Sequence, residues 1–278
     1  MPEHRINIGD VEIIAISDGH LEFEIGDFFP KVPAEAWEPY RSDLTEEGRI
    51  LLNVGSFVVR SESETVLIDT GLGTGDHGIE HSSSGKLIDD LASKGLTTEG
   101  IDLVALTHLH LDHVGWNLTW DDDVYRPTFP NAKYHVPKAD WDRFTSRAGM
   151  RRFSYIKDQV TPLEPLGILE FIDGRQRITD TLSAWPTPGH TLGHTSFLVS
   201  SAAESAIVLG DAAHVPAQAQ HVEWSPRPDT DPNLSHASRR ELFDWAETET
   251  SLIASGHFPK PGFGRLHRIV DERVWRSI

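Results

Sequence analysis

Four side chains able to bind a metal ion crowd into the run Thr107-His108-Leu109-His110-Leu111-Asp112-His113. A helix turns by about 100° per residue, so it cannot put positions 108, 110, 112 and 113 on one face. The spacing therefore predicts an irregular turn. The short apolar run from Ile101 to Thr107 comes directly before it and reads as a buried strand that delivers the cluster to a loop. The pattern recurs. Ser183 to Pro186 precedes Gly189-His190, Ala206 to Leu209 precedes Gly210-Asp211, and Leu252-Ile253 precedes Gly256-His257. Strands that end in polar groups at one sheet edge are a rigid way to build a site.

Imidazole and carboxylate without thiolate suit zinc, iron, manganese or cobalt. The chain has no cysteine, which excludes disulfides, thiolate catalysis and cysteine-ligated zinc. Its net charge of -18 repels nucleic acid backbones, so no nucleic acid partner is expected. No apolar stretch reaches the length of a membrane span. The start, Met1-Pro2-Glu3-His4-Arg5, lacks a basic segment followed by an apolar run, and a cytoplasmic location is the expectation.

Elsewhere, apolar residues between positions 1 and 20 predict two short strands turning at Gly9-Asp10, followed by an irregular stretch to residue 50. Val54 to Val59 and Thr65 to Asp69 read as strands joined by Ser61-Glu62-Ser63-Glu64. Leu87, Ile88 and Leu91 predict a helix stopped by Gly95, and Arg239 to Glu247 predicts another. The glycine run Gly71-Leu72-Gly73-Thr74-Gly75 lacks the lysine of a phosphate loop and reads as a tight turn near the metals. Asp121-Asp122-Asp123 reads as a solvated turn. No linker composition breaks the chain, so one domain over 1–278 is expected, with residues 1–50 as strands and an irregular segment covering the active site.

The run from His108 to His113 resembles the HxHxDH signature of the metallo-β-lactamase superfamily. Thr187-Pro188-Gly189-His190-Thr191-Leu192-Gly193-His194, Gly210-Asp211 and Ser255-Gly256-His257 are similar to its later motifs, and Leu67-Ile68-Asp69-Thr70-Gly71 to its early strand and turn. The resemblance covers roughly residues 50 to 260 with five motifs in order. It implies an α+β fold, a four-layer αβ/βα sandwich with metals at one sheet edge. It also implies two divalent ions per chain, zinc first, with manganese, iron or cobalt as alternatives. One would take His108, His110 and His190, the other Asp112, His113 and His257, with Asp211 bridging. Asp69 would orient a ligand or an ordered water, and His194 would be structural. Metal coordination lowers the pKa of water from about 15.7 towards about 7, which implies a bridging hydroxide as nucleophile. Asp112 would shuttle the proton, so Asp112 and Asp211 are the catalytic candidates.

Within the superfamily, the lack of a cysteine ligand and the presence of Asp211 point to the lactonase and ester hydrolase branch. Gly210 to Val215, Pro226 to Asp231, and Ser255-Gly256-His257-Phe258-Pro259 look like the methyl-parathion-hydrolase-like group. That group hydrolyses lactones, aryl esters and organophosphate triesters. Acyl-homoserine lactonases often place a tyrosine between the second and last motifs, whereas the last tyrosine here is Tyr155. A small-molecule ester or lactone is the expected partner, and the relatives suggest a homodimer. The pocket candidates are Trp116, Trp120, Trp224 and Phe258, with Phe28 and Phe29 from the N-terminal stretch. The alternatives are an acyl-homoserine lactonase proper and a mononuclear-iron sulfur dioxygenase acting on persulfides.

Overall fold

The computed structural model describes residues 4–122 and 124–278; the start at Met1–Glu3 and the last aspartate of the 121–123 run, Asp123, lie outside the described residues. Apolar runs with alternating faces form two seven-stranded sheets. The first contains β1 (Arg5–Ile8), β2 (Val11–Phe23), β3 (Ile50–Arg60), β4 (Thr65–Ile68) and β5 (Leu103–Ala105). A separate hairpin of β6 (Leu118–Asp121) and β7 (Val124–Pro127) follows, and then β8 (Lys133–Pro137) and β9 (Leu169–Ile172) complete that sheet. The second sheet runs in chain order through β10 (Gln176–Arg177), β11 (Leu182–Pro186), β12 (Thr195–Ser201), β13 (Glu204–Val208), β14 (Leu252–Ala254), β15 (Phe263–Ile269) and β16 (Glu272–Ser277). Pairing is antiparallel from β1 to β4 and parallel from β4 through β5 and β8 to β9. In the second sheet only β13 and β14 pair in parallel among the described strands.

Alternation decides the layers. Ile13, Phe57, Val59 and Ile68 point between the sheets and meet Phe197, Val199, Val208 and Phe263. Their neighbours Ile14, Val58 and Leu67 point outwards. They are covered by the helices α2 (Leu87–Ser93) and α4 (Lys138–Phe144), among others. On the far side, Ile207 and Ile253 pack under Leu242, Phe243 and Ala246 of α7 (Pro232–Thr248). The result is the expected αβ/βα sandwich. The remaining helices are short: α1 (Ile25–Phe28), α3 (Leu111–Val114), α5 (Arg147–Arg152) and α6 (Ile156–Gln159). Among the described residues, no helix is long and apolar enough to cross a membrane.

Three local expectations need correcting. The second N-terminal strand is long rather than short, and β2 pairs with β3 all the way from Glu12 to Phe23. The polar residues at 17 to 19 form a bulge between Ser17 and Gly19 and do not end the strand. Asp18 is left out of the ladder and is fully buried. Its carboxylate accepts hydrogen bonds from the backbone N–H groups of Leu72, Gly73 and Leu87 and from Trp116 Nε1, at 2.7–3.0 Å. Second, the histidine cluster is irregular only through His110, which caps α3, so Asp112 and His113 sit on a single helical turn. Third, α7 begins at Pro232 rather than Arg239, because Asp231 caps it by accepting from Leu234 N–H at 3.1 Å and Pro232 fits the first turn.

The glycine loop and the end of α3 are locked backbone to backbone. Gly115 N–H donates to Gly71 O at 2.7 Å and Trp116 N–H to Thr70 O at 3.1 Å. A Cβ on Gly115 would lie 2.0 Å from the carbonyl carbon of Leu72. Gly115→Ala is therefore expected to lower the unfolding free energy in urea by about 3 kcal/mol, the upper range for overpacking. Unchanged stability would mean that this contact does not hold α3 in place.

Candidate metal centre

The loops after β5, β11, β13 and β14 meet at one edge of the sandwich, and each contributes polar side chains there. His108 Nε2 and His110 Nδ1 are 3.0 Å apart, and His110 Nδ1 and His190 Nε2 are 2.9 Å apart. Asp211 Oδ2 lies 3.1 Å from His190 Nε2 and 3.7 Å from His108 Nε2. The other oxygen of the same carboxylate, Oδ1, lies 3.1 Å from both His113 Nε2 and His257 Nε2. Asp112 Oδ2 completes that second group, 3.5 Å from His113 and 3.6 Å from His257. The seven residues picked out in the sequence thus come together as two groups that share Asp211.

The donor set fits metal ions. His113 Nε2 and Asp211 Oδ1 are buried, and neither has a hydrogen-bond partner among the described residues, although they are 3.1 Å apart. They converge on a common point rather than on each other. Ligands about 2.0–2.1 Å from one tetrahedral ion lie about 3.3 Å from each other, close to the separations seen here. Among the described residues, three groups of four or three side chains could hold an ion, and Asp211 belongs to two of them.

Behind these atoms, other residues fix the orientation of the rings. His113 Nδ1 bonds Asp69 Oδ2 at 2.8 Å, and His257 Nδ1 donates to the Asn53 carbonyl at 2.8 Å. His190 Nδ1 bonds Asp229 Oδ1 at 3.0 Å, and His108 Nδ1 bonds Thr107 Oγ1 at 3.0 Å. In each case the Nε2 lone pair is left facing the cluster. Asp69 also accepts from the Thr107 N–H and hydroxyl at 2.8 Å. To reach both partners it adopts φ 61°, a left-handed conformation that costs a non-glycine residue on the order of 1 kcal/mol. His194 Nε2 accepts from the Asp211 N–H at 2.8 Å, so it sets the backbone that carries the shared carboxylate. Asp140 is equally buried and ties the first two motifs together, accepting from Leu109 N–H, Thr191 Oγ1 and Gly193 N–H.

Electrostatics divide the imidazoles. Burial holds His108 well below its ordinary pKa and His110 down to about 3, with neighbouring imidazoles adding to the effect. His113, His190 and His257 go the other way. Burial opposes their charge, but the Asp211 carboxylate outweighs it, and His190 is raised to about 9. Asp211 itself is held well below the carboxylate range: burial works against its charge, and His113 and His257 overcome it. Protons thus balance the buried carboxylate where ions would otherwise do so.

A cavity of about 150 Å³ opens over Asp112, Asp211 and His257. Leu21, Phe23, Phe28 and Ile79 wall it, with Leu52, Leu72 and Leu111. Leu21, Phe23 and Phe28 of the N-terminal stretch thus line the space over the cluster, and the candidate aromatics take different places. Phe28 lines the cavity, and Phe29 lies behind it with ring centroids 5.1 Å apart. Trp224 stacks on His221 and packs against Trp37. Trp116 turns inwards to Asp18, and Phe258 packs against Trp275 under the second sheet. Trp120 lies on the β6–β7 hairpin, 39% exposed, and donates to the Asp158 carbonyl. Nearness in sequence to a motif does not set which side of a loop a ring takes. His214 was not singled out in the sequence. It is buried, bonds Asp211 Oδ2 at 3.1 Å, stacks on His257 and lines the cavity. Its position three residues after Asp211 was the available signal.

The description of the metallo-beta-lactamase superfamily matches residues 50–257. The chain belongs to this superfamily. N-acyl homoserine lactonase AiiA of Bacillus thuringiensis subsp. kurstaki is 22% identical over 232 residues, covering 78% of this chain and 85% of the lactonase. The dizinc quorum-quenching lactonase AidC, solved with the product N-hexnoyl-L-homoserine, superposes with a TM-score of 0.83 at 22% identity, covering 99% of this chain and 96% of AidC. The hydrolase AbOPH superposes with a TM-score of 0.84 at 25% identity, covering 99% and 97%. These relatives are lactonases and hydrolases, the enzyme class expected from the sequence, and the fold expectation holds.

In the superfamily centre, ions and protons compete for the same nitrogens. His190, raised to about 9, holds a proton at pH 7 when no ion is bound, and the Asp211 carboxylate pushes His113 and His257 in the same direction. Zinc uptake at pH 7 should therefore release protons, and the release should dwindle as pH rises past about 9, the value for His190. Calorimetry in buffers of different ionisation enthalpy measures this. Release that shows no fall around pH 9 would contradict the assignment.

Proposed function

We propose that this chain is a metal-dependent hydrolase of lactones and related uncharged esters, working with two divalent ions. The observation that carries the reading is Asp211, whose two oxygens face two separate groups of imidazoles beneath an apolar cavity. Zinc is the first candidate for an imidazole and carboxylate set, and manganese, iron or cobalt would accept the same donors. His108, His110 and His190 would hold one ion and Asp112, His113 and His257 the other, with Asp211 shared. A mononuclear-iron dioxygenase would leave the second group without a task.

Two ions there would bring the pKa of a water towards about 7 and polarise a substrate carbonyl. The chain's own residues do the rest. The cavity walls carry no charge above the Asp112, Asp211, His214 and His257 floor, so they favour an uncharged acyl or aryl group and keep bulk water away. Asp112 lines the cavity with its carboxylate partly exposed. In this reading it takes the proton of the attacking water and passes it to the leaving oxygen. The water oxygen bonds to the carbonyl carbon, the ester C–O bond breaks, and a lactone leaves as its hydroxy acid. A volume of about 150 Å³ suits a small ring or one aromatic group better than a long chain. Among the described residues no tyrosine lines the cavity and His214 does, a departure from acyl-homoserine lactonases that keeps the substrate class broader than signal lactones.

The test pairs elemental analysis with a panel of lactones, aryl esters and a phosphotriester. About two ions per chain and turnover abolished by chelation are expected. Asp211→Asn should lose ions and turnover together. Phe28→Ala should raise KM for apolar substrates about tenfold with little change in kcat, the loss of one aromatic wall contact. One iron per chain with oxygen uptake and no hydrolysis would sink the reading.

A further inference from the structure

The largest fully buried side chain is a cation that the chemistry above does not use. Arg239, on α7, is 0% exposed. Its guanidinium donates to the carbonyls of Ala212 at 2.5 Å, Val222 at 2.6 Å and Trp224 at 2.9 Å, and to Ser235 Oγ at 3.0 Å. Asp229 Oδ2 lies 3.7 Å away, also fully buried at its side chain, and accepts from Ser225 Oγ at 2.6 Å. The other oxygen of Asp229 bonds His190 Nδ1 at 3.0 Å. A chain of contacts therefore runs from α7 through a carboxylate to one imidazole of the metal centre.

Burying a guanidinium and a carboxylate costs several kcal/mol for each ion, and an apolar pair of similar volume often serves stability as well. The placement points to a task other than stability. The carboxylate on Nδ1 forces His190 into the tautomer whose Nε2 lone pair faces His108, His110 and Asp211. The same cation holds the carbonyl of Ala212, the residue after Asp211. The other group is supported separately: His113 by Asp69 and His257 by the Asn53 carbonyl. Burial puts Arg239 at about 10, low for a guanidinium but still charged at neutral pH.

We propose that Asp229 and Arg239 are positioning residues that set the metal affinity of one seat, that of His108, His110 and His190, and leave the other alone. This rests on the two-ion reading above. The probe is zinc, titrated into the ion-free full-length protein against a chromophoric chelator to obtain stepwise affinities, with urea unfolding of the ion-free protein alongside. Asp229→Asn should weaken one affinity about 10–100-fold and leave the other unchanged. Arg239→Met should weaken the same affinity and also lower ion-free stability, because the buried carbonyls of Ala212 and Val222 lose their donor and that of Trp224 keeps only Gln218 Nε2. Arg239→Lys, which keeps the charge beside Asp229, should recover part of the affinity. Two affinities that stay at wild-type values, or that fall together with ion-free stability, would overturn the proposal in favour of a purely structural role. Wild-type protein that takes up a single ion overturns the two-ion reading instead. Asp229→Asn must then still weaken that ion, and an unchanged affinity overturns the positioning role as well.

Discussion

Asp211 is a carboxylate with 3% of its surface exposed, held at the meeting point of four loops. An isolated charge there would cost several kcal/mol. The fold surrounds it with His108, His113, His190, His214 and His257, and with the backbone that His194 fixes. Much of the molecule can be read as the means of bringing these groups to one point. Two sheets packed face to face carry the loops to one edge; away from the cluster, buried Asp140 ties the loops after β5 and β11 together, and buried Asp18 ties the glycine loop to α2 and Trp116. Without positive charge in the cluster, protons on imidazoles have to balance Asp211, which is why three histidines are pushed towards charge against their own burial.

The support is graded. His113 and His190 lean on carboxylates, His257 on a carbonyl and His108 on a hydroxyl. A carboxylate behind an imidazole makes it a stronger donor, so each group has one reinforced histidine. Over this polar floor the N-terminal stretch contributes an apolar roof. Leu21, Phe28 and Leu52, which pack into one apolar cluster with Phe29, Trp37 and Trp224, also wall the cavity. Cover and core are one unit here, and changes in the roof carry a stability cost as well as a change in substrate preference.

The seven side chains that meet at the sheet edge were legible because their motifs follow short apolar runs at strand ends, a local pattern that survives in one dimension. The sandwich was legible only through the family resemblance that those motifs carry, since alternation and buried runs mark single strands and not how the sheets stack. What stayed hidden depends on contacts distant in sequence. Asp229 and Arg239 sit in ordinary polar surroundings in the sequence and acquire meaning only when α7 packs beside the 212–229 segment. Asp18 went unremarked in the sequence because its role depends on a bulge that removes it from the ladder. Trp116, Trp224 and Phe258 adjoin or approach the motifs yet point into cores, since large rings are buried by whichever neighbours the loop offers.

A crystal of the protein grown with zinc, with anomalous scattering recorded at the zinc edge, tests the shared role of Asp211 most directly. Two peaks about 3.5–4 Å apart, one on each side of the Asp211 carboxylate, are expected for a bridged pair. A single peak held by His108, His110 and His190, or peaks away from Asp211, would contradict it.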